Sequence, residues 1–181
     1  MPGIEVLKDA DLLVMDIRRK SLPKEQLDLI REYLNAGKPF VGFRQASHAF
    51  EVGDVPEGGA VWPTFDIEVL GCDYRGHGRK GTKVTIDSKN AEHPILRGVT
   101  TEPWVSESPI YAEGTEEKDA VVLWWGHQKD RTEAVAWTRL YKAKGRIFYT
   151  SLGVPENIEQ PQFRRLAING MLWALNEPIT K

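Results

Sequence analysis

Arg44 and His48 lie four residues apart, directly after a short apolar segment, residues 38–43, that predicts a buried β-strand. Arginine is permanently charged, and its forked donors suit a carboxylate, a phosphate or paired hydroxyl groups. Histidine can accept or donate a proton near neutral pH. Ligands of open α/β sheets bind beyond the carboxyl ends of the strands, so we predict that both side chains bind a ligand. The alternative for Arg44 is a structural salt bridge with a loop carboxylate.

A second group of polar residues lies in glycine- and proline-rich segments. His77, between two glycines, is predicted to act as a general acid or base, or as a neutral metal ligand; a loop histidine bonded to the backbone is the alternative. Glu107 is a candidate catalytic carboxylate, Asp73 a candidate binding residue, and the Tyr111 phenol could orient a ligand hydroxyl. Because position 44 is arginine, we find no credible set of metal ligands and predict no cofactor.

Tryptophan is frequent in this chain, and Trp104, Trp124, Trp125 and Trp137 fall in its second half. Indole faces can stack on the apolar face of a sugar ring, which would support carbohydrate binding. The alternative is that these large side chains fill a core. Because side chains alternate along a strand, Trp124 and Trp125 are expected on opposite faces. We predict that Trp137 contacts the ligand.

The elements that must position these side chains begin with a strand–helix–strand unit. Residues 10–16 and 38–43 are apolar runs typical of strands buried on both faces. The helical spacing of apolar residues between 21 and 35 predicts a helix that connects them. A crossover of this kind implies two parallel strands.

The rest of the chain alternates between loops and predicted strands. Residues 51–82 are rich in glycine and proline and are interpreted as a long excursion, with a short helix at 64–70. A hairpin and a closing helix are expected towards the end of the chain. The remaining strands are predicted at 83–86, 120–124, 134–138 and 146–150, the last two forming that hairpin, and the helix at 161–176.

Four segments resemble blocks of a known family. Residues 37–47, GKPFVGFRQAS, resemble the nucleophile turn of class I glutamine amidotransferase-like domains, G-x-P-x-x-G-x-C-x-G, and Arg44 stands at the cysteine position. Together with three further blocks in family order, this turn resembles the trehalose-utilisation (ThuA-like) branch of that fold. The further blocks are residues 70–77, residues 93–99, and residues 136–138 followed by 145–153.

The resemblance implies a single α/β domain over residues 1–181. Its expected architecture is a three-layer α/β/α, flavodoxin-like or class I glutamine amidotransferase-like fold with a mostly parallel sheet. Such domains usually open with one more strand and helix before the strand at residue 12, so we expect this chain to lack that unit. A sheet edge exposed by the missing strand would favour pairing with another chain, and a homodimer is predicted.

The departures from the family pattern restrict the chemistry. Glutamine amidotransfer needs an activated thiolate, which Arg44 cannot supply, and Cys72 lies in the excursion instead of on the turn. ThuA-like members more often carry histidine at the positions of Arg44 and Val154, and Asp-Glu-Leu-Tyr where this chain has Ser-Pro-Ile-Tyr at 108–111. We therefore exclude amidotransferase activity, and the expectation of family metal or hydrolase chemistry weakens.

Composition excludes several classes of partner. The formal net charge is −2 and the pI about 6.1, which argues against a nucleic-acid partner. A single cysteine permits neither an internal disulfide nor a cysteine-based zinc site. No apolar run approaches the roughly 20 residues of a membrane helix, and the first residues lack signal-peptide features. A cytoplasmic location is predicted, with a longer exported gene product as the alternative.

Taken with the resemblance, these observations predict binding or processing of a carbohydrate-like small molecule, a sugar or sugar derivative. Arg44 would anchor a polar or anionic group, His77 would exchange protons, and Glu107 and Tyr111 would orient the substrate. The alternative is a non-catalytic ligand-binding or interaction module that has lost the active site of the family. The expected lack of the first strand and the changes at Arg44, Ser108 and Val154 favour that alternative. Substrate and reaction type stay open at this point.

Overall fold

A computed structural model describes residues 1–115 and 120–180 of the chain. Its α-helices are α1 (Lys24–Asn35), α2 (Pro155–Ile158) and α3 (Pro161–Ala174). Short 3-10 helices occur between these elements, including one at Arg44–His48, and a π-helical turn covers Asp66–Leu70. The strands are β1 (Leu13–Met15), β2 (Leu22–Pro23), β3 (Phe40–Phe43), β4 (Gly59–Ala60), β5 (Thr82–Ile86), β6 (Trp104–Ser106), β7 (Val121–Gln128), β8 (Arg131–Tyr141) and β9 (Gly145–Thr150).

Seven of these strands form one sheet in the order β1-β3-β9-β8-β7-β5-β6. The pairs β1–β3 and β3–β9 are parallel, whereas the other four pairs are antiparallel. The expectation of a mostly parallel sheet is therefore wrong. Its physical reason lies in the connections: residues 129–130 join β7 to β8 and residues 142–144 join β8 to β9. Such short links form hairpins, since a parallel pair needs a crossover of a dozen residues or more.

Helices α1 and α3 cover opposite faces of the sheet. Leu27, Ile30 and Leu34 recur along one side of α1 and pack in one core with Phe40 and Tyr149. A second core on the other face contains Val41 and Phe148 together with Phe163 and Leu166 of α3. Neighbouring residues of β3 and β9 thus enter different cores, as the alternation of side chains along a strand requires.

Close packing of α3 depends on a glycine. A Cβ added to Gly170 would lie 2.3 Å from Cδ1 of Phe148, well inside any tolerated contact. Only a residue without a side chain lets this turn of α3 approach β9 so closely. The helix begins at Pro161, whose fixed φ suits a first helical position.

The long excursion is held against the sheet by backbone hydrogen bonds. The amides of Asp73 and Arg75 donate to the carbonyls of Glu113 and Ala112, at 2.6 and 2.8 Å. Residues 73–78 therefore run antiparallel to residues 110–113 as a ribbon, and this ribbon carries the predicted His77. None of the helices in the described part of the chain combines the length and apolar composition needed to cross a membrane.

Candidate functional site

A cleft of about 550 Å³ opens beyond the carboxyl ends of β1 and β3. Three loops supply its basic residues: the segment after β1, the turn after β3, and the ribbon of residues 73–78. Its charged, titratable and aromatic lining residues are Arg18, Arg19, Arg44, His48, Glu51, Tyr74, Arg75, His77 and Tyr111. The structure thus brings together four residues predicted from sequence, Arg44, His48, His77 and Tyr111.

The charge of this cleft is strongly unbalanced. Among residues 1–115 and 120–180, four arginines line it and Glu51 is the only lining carboxylate. Converging cations in a concave surface concentrate positive potential and attract anions. Arginine side chains also form paired, charge-assisted hydrogen bonds with carboxylates and phosphates. The arrangement is therefore suited to an anionic group on a small molecule.

Arg44 lies on a strained turn at the end of β3. Its φ is +43°, a left-handed conformation that residues with a side chain rarely adopt. The guanidinium carbon lies 5.9 Å from the ring centre of Tyr111, and the Tyr149 hydroxyl donates to the Arg44 carbonyl at 2.5 Å. Strain of this kind costs roughly 1–3 kcal/mol and persists where the surroundings enforce it. The turn presents Arg44 to the cleft.

His48 forms part of the wall of the cleft. Its ring stacks on Tyr74, with ring centres 4.2 Å apart and planes 20° apart, and Nδ1 lies 3.2 Å from the Ser47 hydroxyl. Burial, together with the nearby charges of Arg19, Arg18 and Arg44, lowers the pKa of His48 to about 4. His48 is therefore uncharged at neutral pH and offers a ligand a hydrogen bond instead of a charge.

His77 and Tyr111 face each other across the ribbon as an antiparallel bridge pair. Nδ1 of His77 lies 3.0 Å from the Gly78 carbonyl oxygen, which can only accept, so Nδ1 carries a hydrogen and Nε2 of the neutral ring is the basic atom. The side chain of His77 is exposed and lines the cleft. Burial raises the pKa of Tyr111 to about 12, so its phenol keeps its proton and can donate to a ligand.

Comparison with known proteins identifies the family. The sequence profile of the ThuA family, described as trehalose utilisation, matches residues 3–174. The chain belongs to the ThuA family. Among functionally curated proteins, no sequence matches it.

Solved structures share the fold of this ThuA-family chain. A ThuA-like protein from Parabacteroides merdae superimposes with a TM-score of 0.75 at 19% identity, covering 97% of this chain and 74% of the other. For a ThuA-like protein from Bacteroides uniformis the TM-score is 0.71 at 19% identity, with 94% and 71% covered. A cytoplasmic protein from Salmonella typhimurium gives 0.65 at 18% identity, with 96% and 75% covered. At these identities the likeness concerns the fold alone.

Three residues predicted for the ThuA site do not line the cleft. Trp137 is fully buried in the core, where its indole donates to the Leu70 carbonyl at 2.8 Å. Glu107 is exposed at the end of β6 and lies outside the cleft. Asp73, the first residue of the ribbon, is not among the residues that line the cleft and pairs with Arg75 at 2.8 Å. Asp73 can therefore orient Arg75 but does not face the cleft.

Sequence reasoning missed three of the four arginines that line the cleft, Arg18, Arg19 and Arg75. Arg18 and Arg19 look like a solvated charge run in the sequence, yet both line the cleft. The Arg19 amide donates to the His48 carbonyl at 3.0 Å, which ties this segment to the turn after β3. A signal was present, because β1 is parallel to β3 and its carboxyl end must lie at the same sheet edge.

Metal binding finds no support among the residues that the structure describes. Within residues 1–115 and 120–180, no group of three or more histidine, cysteine or acidic side chains is arranged to hold an ion. The cleft itself presents cations, which repel a metal ion. Its positive charge suits an anion instead.

Proposed function

We propose that this ThuA-family protein binds a small carbohydrate derivative that carries an anionic group, such as a sugar phosphate or a sugar acid. The observation that carries the proposal is the convergence of four arginines from three loops on one cleft, against a single carboxylate in the part of the chain that the structure describes. The rings of Tyr74 and Tyr111, 5.1 Å apart, offer apolar surface to a sugar ring. The description of the family as trehalose utilisation supports the carbohydrate part.

Arg44 and Arg75 would bind the anionic group from opposite walls of the cleft. The neutral His48 and the Tyr111 phenol would hydrogen-bond sugar hydroxyls, and Nε2 of His77 would act as the general base. Glutamine amidotransfer is excluded from the proposal, since Arg44 occupies the nucleophile position. Cys72 is buried, and burial raises the pKa of its thiol well above the usual range, so no thiolate is at hand.

The test is a binding comparison by isothermal titration calorimetry with glucose 6-phosphate, glucuronate and trehalose. We expect the two anionic sugars to bind, glucose 6-phosphate more tightly, and neutral trehalose to bind more weakly than either. Arg44→Gln should lower the affinity for glucose 6-phosphate roughly 10- to 100-fold, as expected when a hydrogen bond from a charged group is lost. Arg131→Gln, on the exposed hairpin between β7 and β8, is the matched control. Equal affinity for trehalose, or no effect of Arg44→Gln, would refute the proposal.

A non-catalytic binding module is the second candidate. The position of Glu107 outside the cleft favours it, because the predicted carboxylate partner of His77 is absent from the lining. His77→Ala separates the two candidates. A variant that keeps ligand affinity but loses turnover of plain or oxidised disaccharides indicates an enzyme, whereas no turnover by the wild type indicates a binder.

The proposal extends to architecture and assembly. Helices α1 and α3 on opposite faces support a three-layer, amidotransferase-like arrangement of this α/β domain, in which four of the six strand pairs of the large sheet are antiparallel. Strand β1 lies at one edge, where Val14 is 45% exposed, and we propose that two copies pair along this edge. We place the protein in the cytoplasm, as predicted from its sequence.

A further inference from the structure

A buried acid lies directly behind the turn that presents Arg44. Glu113 and Tyr149 are both fully buried. The Tyr149 hydroxyl oxygen lies 2.5 Å from the Arg44 carbonyl oxygen and 2.7 Å from Oε1 of Glu113. Glu113 does not line the cleft, so its contribution to the cleft must act through the residues that it holds.

Counting hydrogens determines whether the Glu113 carboxyl beside Tyr149 carries a proton. A phenol has one hydrogen, and the Arg44 carbonyl can only accept it. The contact between Tyr149 and Glu113 is then satisfied when the Glu113 carboxyl is protonated and donates to the phenol oxygen. A chain of two hydrogen bonds results, from Glu113 to Tyr149 and from Tyr149 to Arg44.

The environment of Glu113 also favours the neutral acid. Its Oε2 is buried without a hydrogen-bond partner, which an ionised carboxylate tolerates poorly. The pKa of Glu113 is raised to about 8, mainly by burial and also by the charges of Glu133 and Asp66. Hydrogen bonding with Tyr149 and Ser47 opposes this shift. The Cys72 thiol is also close enough for the charge of Glu113 to raise its pKa. A negative charge at Glu113 would be repelled by the carboxylates of Glu133 and Asp66.

Glu113 connects both walls of the cleft. Through Tyr149 it supports the turn of Arg44, whose neighbour Ser47 contacts His48. Its own carbonyl accepts from the Asp73 amide at 2.6 Å, at the start of the ribbon that carries Arg75 and His77. A single side chain and its backbone thus join the two structural units that present the arginines.

We infer that neutral Glu113 is a positioning residue for the cleft: through Tyr149 its acid proton holds the turn of Arg44 in the ligand-binding arrangement, and its ionisation releases that turn. An ionised Glu113 has no proton for Tyr149, so the phenol turns its hydrogen to the carboxylate and leaves the Arg44 carbonyl. The functional part of this inference, the loss of ligand affinity, rests on the proposed anion binding. The structural part does not need a ligand.

A ligand-free NMR titration tests the structural part. The backbone amide signals of Arg44, Ser47, Arg75 and His77 are followed in the full chain labelled with nitrogen-15, between about pH 6 and pH 9.5. We expect the Arg44 and Ser47 signals to shift with a midpoint near 8, the pKa that burial gives Glu113. Glu113→Gln, whose amide donates to the phenol as the neutral acid does, should abolish this midpoint. Absence of the midpoint from the Arg44 and Ser47 signals, or its persistence in Glu113→Gln, would overturn the inference.

Titration calorimetry with glucose 6-phosphate tests the functional part. Between about pH 7 and pH 9 the wild type should lose about tenfold in affinity, Glu113→Gln should keep its affinity, and Tyr149→Phe should bind weakly at both values. Glu102→Gln, at an exposed position, controls for loss of a carboxylate. If glucose 6-phosphate fails to bind at either pH, the proposed function is wrong and the NMR titration still decides the role of Glu113.

Discussion

Replacing Glu113 by glutamine should change how the stability of the protein depends on pH. Burial raises the pKa of Glu113 from 4.5 to about 8 in the folded chain. Between these values the native state keeps a proton that the unfolded state has released. The free energy of unfolding therefore falls as pH rises, by about 1.4 kcal/mol per pH unit. From pH 5 to pH 8 the Glu113 contribution amounts to a loss of about 3–4 kcal/mol.

His48 has the opposite effect on how the free energy of unfolding depends on pH, and its contribution must be separated from that of Glu113. Burial lowers the pKa of His48 from 6.5 to about 4, so between these values the unfolded state holds the extra proton. Its contribution makes the protein more stable as pH rises to about 6.5. Subtracting the curve of Glu113→Gln from that of the wild type removes the His48 contribution, which both proteins share.

Urea unfolding followed by tryptophan fluorescence measures this difference at half-unit steps between about pH 5 and pH 8.5. The wild type should lose stability relative to Glu113→Gln across this range and level off above about pH 8. Glu102→Gln serves as the control and should run parallel to the wild type. If Glu113→Gln also runs parallel to the wild type, Glu113 is ionised in the folded state and the hydrogen count around Tyr149 is wrong.

Three further predictions concern backbone strain, packing and assembly. Arg44→Gly should raise the free energy of unfolding by about 1 kcal/mol through relief of the positive φ and abolish glucose 6-phosphate binding; a destabilised variant would show that the turn stores no strain. Gly170→Ala should lower the free energy of unfolding by about 1–3 kcal/mol, because the new Cβ meets the Phe148 ring; urea unfolding decides. Val14→Lys at the edge strand should convert a dimer to a monomer in sedimentation equilibrium, and a wild type that sediments as a monomer would contradict the edge pairing.

The site was partly predictable because one local rule governs much of it. A buried strand followed by polar residues predicts a ligand site at the carboxyl end of that strand, and Arg44 and His48 fulfil this pattern in the lining of the cleft. The same rule applied to β1 would have found Arg18 and Arg19. The short charge run after β1 instead looked like solvated surface, although the predicted crossover from β1 to β3 already places the carboxyl ends of both strands at one edge of the sheet.

The unpredicted features depend on contacts between distant segments. Trp137 lies on a strand whose alternation is visible in the sequence, but alternation does not tell which face a helix covers. Glu113 lies in a polar stretch that is typical of a solvated loop, and its burial arises from Asp73, Ser47 and Tyr149, which are far from it in sequence. The antiparallel pairing of β7 and β8 could have been predicted from the sequence, because the link of residues 129–130 is too short for a crossover.

The backbone strain in the cleft occurs at arginines that contribute to its positive charge. Two of the chain's non-glycine residues with positive φ, Arg19 and Arg44, both line it. The Arg19 amide donates to the His48 carbonyl, and Tyr149 donates to that of Arg44, so each strained residue is tied to the rest of the cleft. Strained residues of this kind persist only where surrounding contacts enforce them. The turn that resembles a nucleophile elbow thus has a strained backbone and presents a cation, and the proposed binding of an anion rests on this arrangement.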